Sequence, residues 1–314
     1  MVNTDNTLDK LVLGTAQLGL NYGINNTLGQ PDLDVSRKLI ECCELNGARY
    51  LDTARGYGNS EEVIGGILGD SKKTELKIIT KLNLSYEATE LVSSVEAKKL
   101  VDIHIQHSLK ALQQKKLYSV LLHRASDLTS FSGSIWARLL EIKQNNLIEK
   151  LGVSVQSPEE LELALKYEQV KYIQLPFNIL DSRWANAIKY IQQAKSERNI
   201  QIHIRSIFLQ GLLLSKNDSM WSKANCMNSD VVTSWLRLKV EQHNRDSIAD
   251  LCLAYVRSLA WVDGIVIGME SVEQLSENIR LFNNCYLSSG EVLDIDSSRP
   301  RLLEETLNPA RWKV

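Results

Sequence analysis

The segment RYLDTARGYGNSEEVIGGIL, residues 49–68, contains one complete strand, loop and helix. Its first part, RYLDTA, is a short apolar run typical of a buried parallel strand, which carries apolar side chains on both faces. The polar residues Asp52 and Tyr57 follow at the strand end and in a glycine-flanked loop. The segment therefore predicts an alternating β/α fold with polar groups at the carboxyl end of a strand.

The same unit recurs along the whole chain. Amphipathic stretches separate eight short apolar runs, which are LVLGTAQ near residue 11, RYLDTA near 49, LKIITKL near 76, YSVLLHR near 118, KLGVSV near 150, YIQLPF near 172, QIHIRSI near 201 and GIVIGM near 264. Helix signals lie between them, including a stop at Gly47 and a start at Ser157 and Pro158.

Eight such units in 314 residues, with no linker rich in Pro, Gly or Ser, predict one α/β domain over residues 1–314. The fold expected for it is a (β/α)8 barrel of the TIM type. Residues 212–245, after the seventh strand, are too many for an ordinary βα loop and are expected to fold over the barrel mouth.

The composition excludes several function classes. With 44% hydrophobic and 24% charged residues, the chain has the balance of a soluble globular protein. A formal charge of -2 does not favour nucleic acid or an anionic membrane as a partner. The chain shows neither a long apolar run nor a secretory signal, so a cytoplasmic location is expected. The five cysteines are scattered and lack metal-ligand spacing, so we expect reduced thiols and no metal.

Three neighbouring strands and one loop deliver polar groups to the same rim of the predicted barrel. Asp52, Lys81 and His123 close the second, third and fourth strands, and Tyr57 lies in the loop after the second. Alone, each has a plain alternative: a helix cap, a solvated charge, a core histidine or a packing tyrosine. Burying all four together costs free energy unless they pair, so their convergence favours a catalytic site.

The four groups suit a tyrosine that donates a proton. An unperturbed phenol titrates near pH 10, and an adjacent ammonium such as that of Lys81 is expected to lower that pKa. Asp52 would keep Lys81 charged and oriented. His123 would donate a hydrogen bond to the oxygen of a substrate carbonyl.

These residues resemble the aldo-keto reductase superfamily, and the resemblance covers nearly the whole chain. The stretches that carry it are LGTAQLGLNYGI from 13, YLDTARGYGNSEEVIG from 50, IITKL from 78, VLLHR from 120, LGVSVQSPEEL from 151, QLPFNILD from 174, LQGLLL from 209 and VIGMESVEQLSENI from 266. The resemblance implies a (β/α)8 barrel, a nicotinamide cofactor extended across the strand ends, and carbonyl reduction by hydride transfer. It places the catalytic tetrad on Asp52, Tyr57, Lys81 and His123.

The resemblance also implies the cofactor-binding residues, with two departures from the family pattern. Val155 stands where the family usually has an Asn that binds the nicotinamide carboxamide. Arg205 stands where a Tyr often stacks on the nicotinamide, and it is expected to face the substrate, to face the pyrophosphate, or to pair with a carboxylate. The residues expected to bind cofactor are Gly14, Thr15, Ala16, Asp52, Ser154, Gln174, Arg205, Ser206, Phe208, Gln210, Gly211, Gly268, Met269, Gln274, Glu277 and Asn278.

NADP(H) is expected over NAD(H) on the family resemblance alone. The segment from Gly268 to Gln274 offers no basic residue to grip a 2′-phosphate, and Glu270 would repel one. Ser271 and Arg280 are the two residues that could compensate.

Three functions remain open at this point. The first is an NAD(P)H-dependent reductase of a small-molecule aldehyde or ketone, with sugar and nucleotide-sugar carbonyls among the candidates, or the same chemistry run as an alcohol dehydrogenase. The second is a cofactor-binding regulatory subunit of a membrane protein with little turnover. The third, an isomerase or aldolase with a Schiff base on Lys81, leaves Tyr57 unexplained. The sequence decides neither the substrate nor the oligomeric state.

Overall fold

The computed structural model describes residues 8–24, 26, 28–69, 74–84 and 93–313. Eight parallel strands form a closed barrel in chain order, which confirms the predicted fold. The strands are β1 Leu11–Gly14, β2 Tyr50–Asp52, β3 Lys77–Leu82, β4 Leu117–Leu122, β5 Ile148–Ser154, β6 Val170–Pro176, β7 Gln201–Arg205 and β8 Gly264–Gly268. The extent of the domain, residues 1–314, stays a prediction.

Helices connect the strands and cover the barrel. The predicted start at Ser157 is confirmed, because its side chain accepts a hydrogen bond from the Glu160 N–H and Pro158 follows at the first helical position. The α-helices are α1 Ala16–Gly19, α2 Leu33–Leu45, α3 Ser60–Gly69, α4 Ser94–Ala111, α5 Ser130–Gln144, α6 Pro158–Leu165, α7 Ile188–Glu197, α8 Asp218–Lys223, α9 Ser229–Gln242, α10 Ile248–Arg257, α11 Val272–Phe282, α12 Ser289–Ser298 and α13 Glu304–Leu307.

The strand register fixes which side chains point into the barrel. Val12 pairs with Tyr50 and Val266, and Gly14 pairs with Asp52 and Gly268. Because side chains alternate along a strand and paired residues of parallel strands face the same side, one set points inward all round the barrel. At the carboxyl ends of the strands this inward set consists of Gly14, Asp52, Lys81, Ser154, Arg205 and Gly268.

The barrel interior below the mouth is filled by side chains. Val12, Ile79, Leu121 and Tyr172 form an apolar cluster there, and all four are fully buried. The Tyr172 hydroxyl hydrogen-bonds to Nδ1 of His203 beneath the site. The barrel is therefore a packed core, and a ligand has access only from the rim.

The long segment after the seventh strand is partly helical. It begins with a short 3-10 turn at Leu212–Leu214 and contains α8 and α9. In α9, Lys239 pairs at 2.6 Å with Asp294 of α12, on the outside of the barrel. Leu214 lines the cleft at the mouth. That the segment closes over the mouth stays a prediction.

Two further observations concern the described part of the chain. None of its helices combines the length and apolar character that crossing a bilayer requires. Its five cysteines are all free thiols, and burial raises the pKa of both Cys43 and Cys252 to about 12. These two buried thiols are therefore protonated and unreactive at neutral pH.

Candidate active site

A cleft of about 770 Å³ opens at the carboxyl ends of the strands. All four residues of the predicted tetrad, Asp52, Tyr57, Lys81 and His123, line it. The cleft runs from these groups to the first turns of α11, where it is bordered by Glu277. The catalytic candidates and the segment expected to bind adenosine thus share one continuous cavity.

Lys81 lies at the centre of the polar network. Its Nζ donates to Oδ2 of Asp52 at 2.6 Å, to the Thr53 carbonyl at 3.1 Å and to the Tyr57 hydroxyl at 3.3 Å. Only 1% of the Lys81 side chain is exposed, and 3% of that of Asp52. Burial opposes the charge on Lys81, but Asp52 and Tyr57 together outweigh it and raise the pKa of Lys81. The buried lysine is therefore an ammonium held against the phenol.

Close packing fixes the loop that carries Tyr57. A Cβ on Gly19 of α1 would collide with the Tyr57 carbonyl, and a Cβ on Gly58 would collide with the Gly19 carbonyl. Gly58 also has φ +55°, a left-handed conformation that favours glycine. Arg55 anchors the same loop through a 2.8 Å ion pair with the buried carboxylate of Glu61. Gly19 and Gly58 are thus required by the geometry of the loop.

His123 lies across the cleft from the tyrosine. The two rings meet edge to face, with their centres 6.2 Å apart. Burial lowers the pKa of His123 to about 4, and the positive charges of Lys81 and Arg205 add to the effect. The imidazole is therefore neutral at physiological pH. A neutral ring still carries one N–H, which it can donate to a substrate oxygen.

The opposite side of the Asp52 carboxylate is held by Gln174. Its Nε2 donates to Oδ1 of Asp52 at 2.7 Å, and its Oε1 is buried with no partner among the described residues. Ser154, its partner in the β5–β6 register, lines the cleft. Val155, where the family usually has Asn, is fully buried in the core and offers no amide to a ligand.

The end of β7 bends sharply beside the site. Ser206, Leu209 and Gln210 all have positive φ, so the backbone curls back over the strand end. Arg205, the last residue of β7, lines the cleft and makes no hydrogen bond or ion pair through its guanidinium within the described chain. The predicted alternative, an ion pair with a nearby carboxylate, is therefore not formed within the described residues.

Three carboxylates, those of Glu270, Glu273 and Glu277, line the far end of the cleft. The Gln274 amide binds Glu270 at 3.1 Å. Arg280 is not available nearby, because it pairs with Glu277 at 2.9 Å and with Asp246 at 2.8 Å.

Ser271 caps the helix at this end of the cleft. Its hydroxyl caps α11 by accepting from the Gln274 N–H at 3.3 Å. Of the two residues that could compensate for the missing basic side chain, Arg280 already pairs with carboxylates, whereas Ser271 can still donate its O–H.

The structure brings together most, but not all, of the predicted cofactor residues. Gln174 lies behind Asp52, and Met269 is fully buried in the core, so neither lines the cleft. Sequence reasoning did not include several residues that do line it: Gln17, Tyr22, Gly23, Asn26, Gln156, Ile207, Leu214, Ala249, Val266, Ile267, Glu273 and Leu281. Side chains alternate between the two faces of β8, and this alternation could have identified Val266 and excluded Met269, because it points Val266 and Gly268 inward and Met269 outward.

The fold and the site define a TIM-type barrel with an Asp–Lys–Tyr–His cluster at the strand ends and no metal-binding group of His, Cys, Asp and Glu among the described residues. A family model described as Aldo/keto reductase family matches residues 10–300. The chain belongs to this family, and it is an NAD(P)-dependent carbonyl oxidoreductase.

Relatives and solved structures agree with this assignment. The chain is 23% identical over 295 residues to the uncharacterized oxidoreductase YqkF of Bacillus subtilis, covering 86% of this chain and 94% of that one. It is 25% identical over 315 residues to L-glyceraldehyde 3-phosphate reductase of Escherichia coli, covering 91% and 89%. In fold it is similar to the aldo-keto reductase AKR11C1 from Bacillus halodurans, with a TM-score of 0.72, 20% identity and 95% of each chain covered.

Proposed function

We propose that this protein reduces the carbonyl group of a small-molecule aldehyde or ketone with NAD(P)H, and that Tyr57 is the proton donor. The observation that carries the proposal is the position of Lys81, whose Nζ bridges Asp52 at 2.6 Å and the Tyr57 hydroxyl at 3.3 Å. A carbonyl oxygen between Tyr57 and His123 would accept a hydrogen bond from each. The bound nicotinamide supplies a hydride to the carbonyl carbon, while Tyr57 gives its proton to the oxygen, so the product is an alcohol.

The residues of the cleft suit a dinucleotide. The Ser154 hydroxyl lines the cleft at the end of β5 and can hydrogen-bond to a carboxamide, while Gln174 holds the Asp52 carboxylate from behind. The bent segment from Ser206 to Gly211 borders the middle of the cleft, and α11 borders its far end. The cavity volume of about 770 Å³ falls within the range of cofactor sites.

The cofactor preference follows from charge at the far end. The family resemblance favours NADP(H), whereas the residues there are Glu270, Glu273 and Glu277, with Arg280 already paired. We therefore propose that NADP(H) is bound but is preferred to NAD(H) by less than about 100-fold, since each missing charge-assisted contact forfeits about one to two decades of affinity.

The two competing functions have less support. A Schiff base requires a neutral lysine amine, whereas Asp52 raises the pKa of Lys81 and binds its ammonium. The relatives do not support a regulatory subunit, because their names are those of oxidoreductases, reductases and dehydrogenases.

The test is the loss of NADPH or NADH absorbance against a panel of aldehydes, ketones and sugar carbonyls. We expect oxidation with at least one class, and none with the Tyr57→Phe variant under the same conditions. If no carbonyl compound oxidises either cofactor, and no alcohol reduces the oxidised forms, the proposal is wrong.

A further inference from the structure

Arg205 points into the mouth of the barrel. On β7 it has the same orientation as His203, which is 0% exposed inside the barrel. Its partner in the register with β6 is Pro176, at the very end of that strand. Arg205 is therefore two residues nearer the rim than His203, and it lines the same cleft as Lys81.

Among the described residues, no carboxylate pairs with the guanidinium of Arg205. Lys81, the other permanent cation that lines the cleft, is neutralised by Asp52 at 2.6 Å. Arginines of similar exposure elsewhere in the described chain pair with carboxylates at 2.7 to 2.8 Å, namely Arg55 with Glu61, Arg138 with Asp102 and Arg183 with Asp181. Arg205 differs because its charge faces a cavity beside the proton donor.

The surroundings of Arg205 at this end of the cleft are polar. Tyr22 lines the same cleft, and its hydroxyl accepts a hydrogen bond from Gln210 Nε2 at 3.2 Å, which joins the first and seventh loops. The charge of Arg205 helps to lower the pKa of His123 and opposes the rise that burial causes in the pKa of Tyr22. Arg205, Tyr22 and His123 all line the same cleft, and Arg205 is the last residue of β7 at its mouth.

We propose that Arg205 binds an anionic group carried by the substrate, so that the enzyme reduces carbonyl compounds bearing a carboxylate or a phosphate monoester in preference to neutral ones. The inference rests on the proposed reductase function and names its substrate class. A guanidinium presents planar pairs of N–H donors that match both anions, whereas a neutral sugar or aldehyde would leave the charge without a partner. The hydride and proton transfers are unchanged, since the anion takes no part in them.

The kinetic test compares pairs of substrates that differ in the anion: glyceraldehyde 3-phosphate with glyceraldehyde, and glyoxylate with glycolaldehyde. We expect kcat/KM to be at least about 10-fold higher for the anionic member of one pair, and which pair responds distinguishes phosphate from carboxylate. Arg205→Gln should reduce that ratio by about 10- to 100-fold, the effect of one charge-assisted contact. Arg205→Lys should retain part of it, because lysine keeps the charge without the planar donors.

The matched control is Arg237→Gln, which removes an exposed arginine from α9 outside the cleft. It should leave the ratio of anionic to neutral kcat/KM unchanged. Equal kcat/KM for both members of both pairs in the parent protein would overturn the proposal, as would an unchanged ratio in Arg205→Gln.

Two binding measurements separate this proposal from its alternatives. The dissociation constant of NADH, from fluorescence quenching, shows whether Arg205 holds the cofactor pyrophosphate. A loss of NADH affinity in Arg205→Gln as large as the loss in kcat/KM would overturn the proposal.

The second measurement needs no turnover. In the presence of NADH, glycerol 3-phosphate or glycolate should raise the melting temperature of the parent protein but not of Arg205→Gln, and glycerol should raise neither. Stabilisation without any turnover would reject the reductase function and keep the anion site. Turnover with no such stabilisation, and with no preference for either anion, would reject the anion site alone.

Discussion

Nζ of Lys81 lies 3.3 Å from the hydroxyl of Tyr57 and 4.9 Å from the centre of its ring. The same nitrogen is held by Asp52, whose other oxygen accepts from Gln174. Each hydrogen bond in this series fixes the next side chain, so the position of the phenol depends on groups from three strands and a loop. The chemistry proposed for the site requires this order, because a proton donor must be within hydrogen-bond reach of the oxygen that it protonates.

Removing the Tyr57 hydroxyl tests the proton donor directly. Tyr57→Phe keeps the ring that packs against His123 but deletes the group that carries the proton. We expect turnover to fall by about 10²- to 10⁴-fold, the usual contribution of a positioned general acid. The NADPH dissociation constant should change little. A variant that keeps more than half of the parent rate would reject the assignment.

Removing Lys81 should unfold the protein more readily as well as inactivate it. Lys81→Met leaves Asp52 buried without its cation, and breaking such a pair costs about 3 to 5 kcal/mol of unfolding free energy. Urea unfolding of Lys81→Met and of the double variant Asp52→Asn/Lys81→Met measures the effect. The double variant should be the more stable of the two, because it buries no unpaired charge. Equal stability would show that the buried pair is not what holds the site together.

The barrel and the tetrad were predictable because both follow from local rules. Strands buried on both faces produce the apolar runs, and the alternation of strand and helix leaves few possible topologies. Asp52, Lys81 and His123 each follow directly after such a run, so their shared rim could be inferred before any coordinate. The family resemblance then assigned their roles.

The parts that the sequence did not predict depend on contacts between distant segments. Met269 was assigned to the cofactor from its motif, yet its side chain packs into the core while Gly268 and Glu270 on either side of it line the cleft. Tyr22 was missed because its place in the cleft depends on a hydrogen bond from Gln210, 188 residues further along the chain. No pattern within a short window reports such contacts.

The close approach of α1 to the tyrosine loop gives a prediction with its own control. In Gly19→Ala the new methyl group would meet the Tyr57 carbonyl and the Ser60 N–H, so the loop must shift. A displacement of about 1 Å at a reacting group is enough to reduce kcat by about 100-fold. Steady-state kinetics and thermal unfolding of the variant measure the two consequences.

Gly66 of α3 is the matched control, because a Cβ there has nothing within 4 Å. Gly66→Ala should leave kcat unchanged and stabilise the helix by about 0.5 to 1 kcal/mol. If both variants behaved alike, the packing of Gly19 would not be what positions Tyr57.

The pH dependence should show no titration of His123 near neutrality. Burial first, and then the charges of Lys81 and Arg205, lower the pKa of His123 from 6.5 to about 4. The ring therefore stays neutral above about pH 4, and kcat/KM should not fall because of this group between pH 8 and pH 5. In the unfolded chain the ring takes up a proton near pH 6.5, so its contribution to stability is lost as the pH falls from 6.5 towards 4.

The histidine Cε1–H signals in NMR spectra provide the measurement, with His123→Gln identifying the resonance. His107, which is exposed on α4, serves as the internal reference. Titration of the His123 signal near pH 6.5 would contradict the prediction and leave a charged imidazole at the substrate oxygen.

The choice of cofactor is the prediction in which family resemblance and structure disagree. Each charge-assisted contact from a basic residue adds about 1.5 to 3 kcal/mol to the binding free energy of a 2′-phosphate. The absence of two such residues therefore lowers the preference for NADPH by about two to four orders of magnitude. Arg280 pairs with Glu277 and Asp246, and Ser271, which caps α11, offers only a neutral O–H donor, so neither supplies the missing charge-assisted contact.

We therefore expect the dissociation constants of NADPH and NADH to differ by less than about 100-fold, and the variant Glu270→Lys to tighten NADPH while leaving NADH nearly unchanged. Fluorescence quenching of the parent and the variant with both cofactors measures this. Glu304→Lys on α13 has the same charge change outside the cleft and corrects for the general field of the protein. A parent preference for NADPH above about 1,000-fold, equivalent to about 4 kcal/mol, would show that the 2′-phosphate is bound elsewhere, as would equal tightening by the two lysine variants.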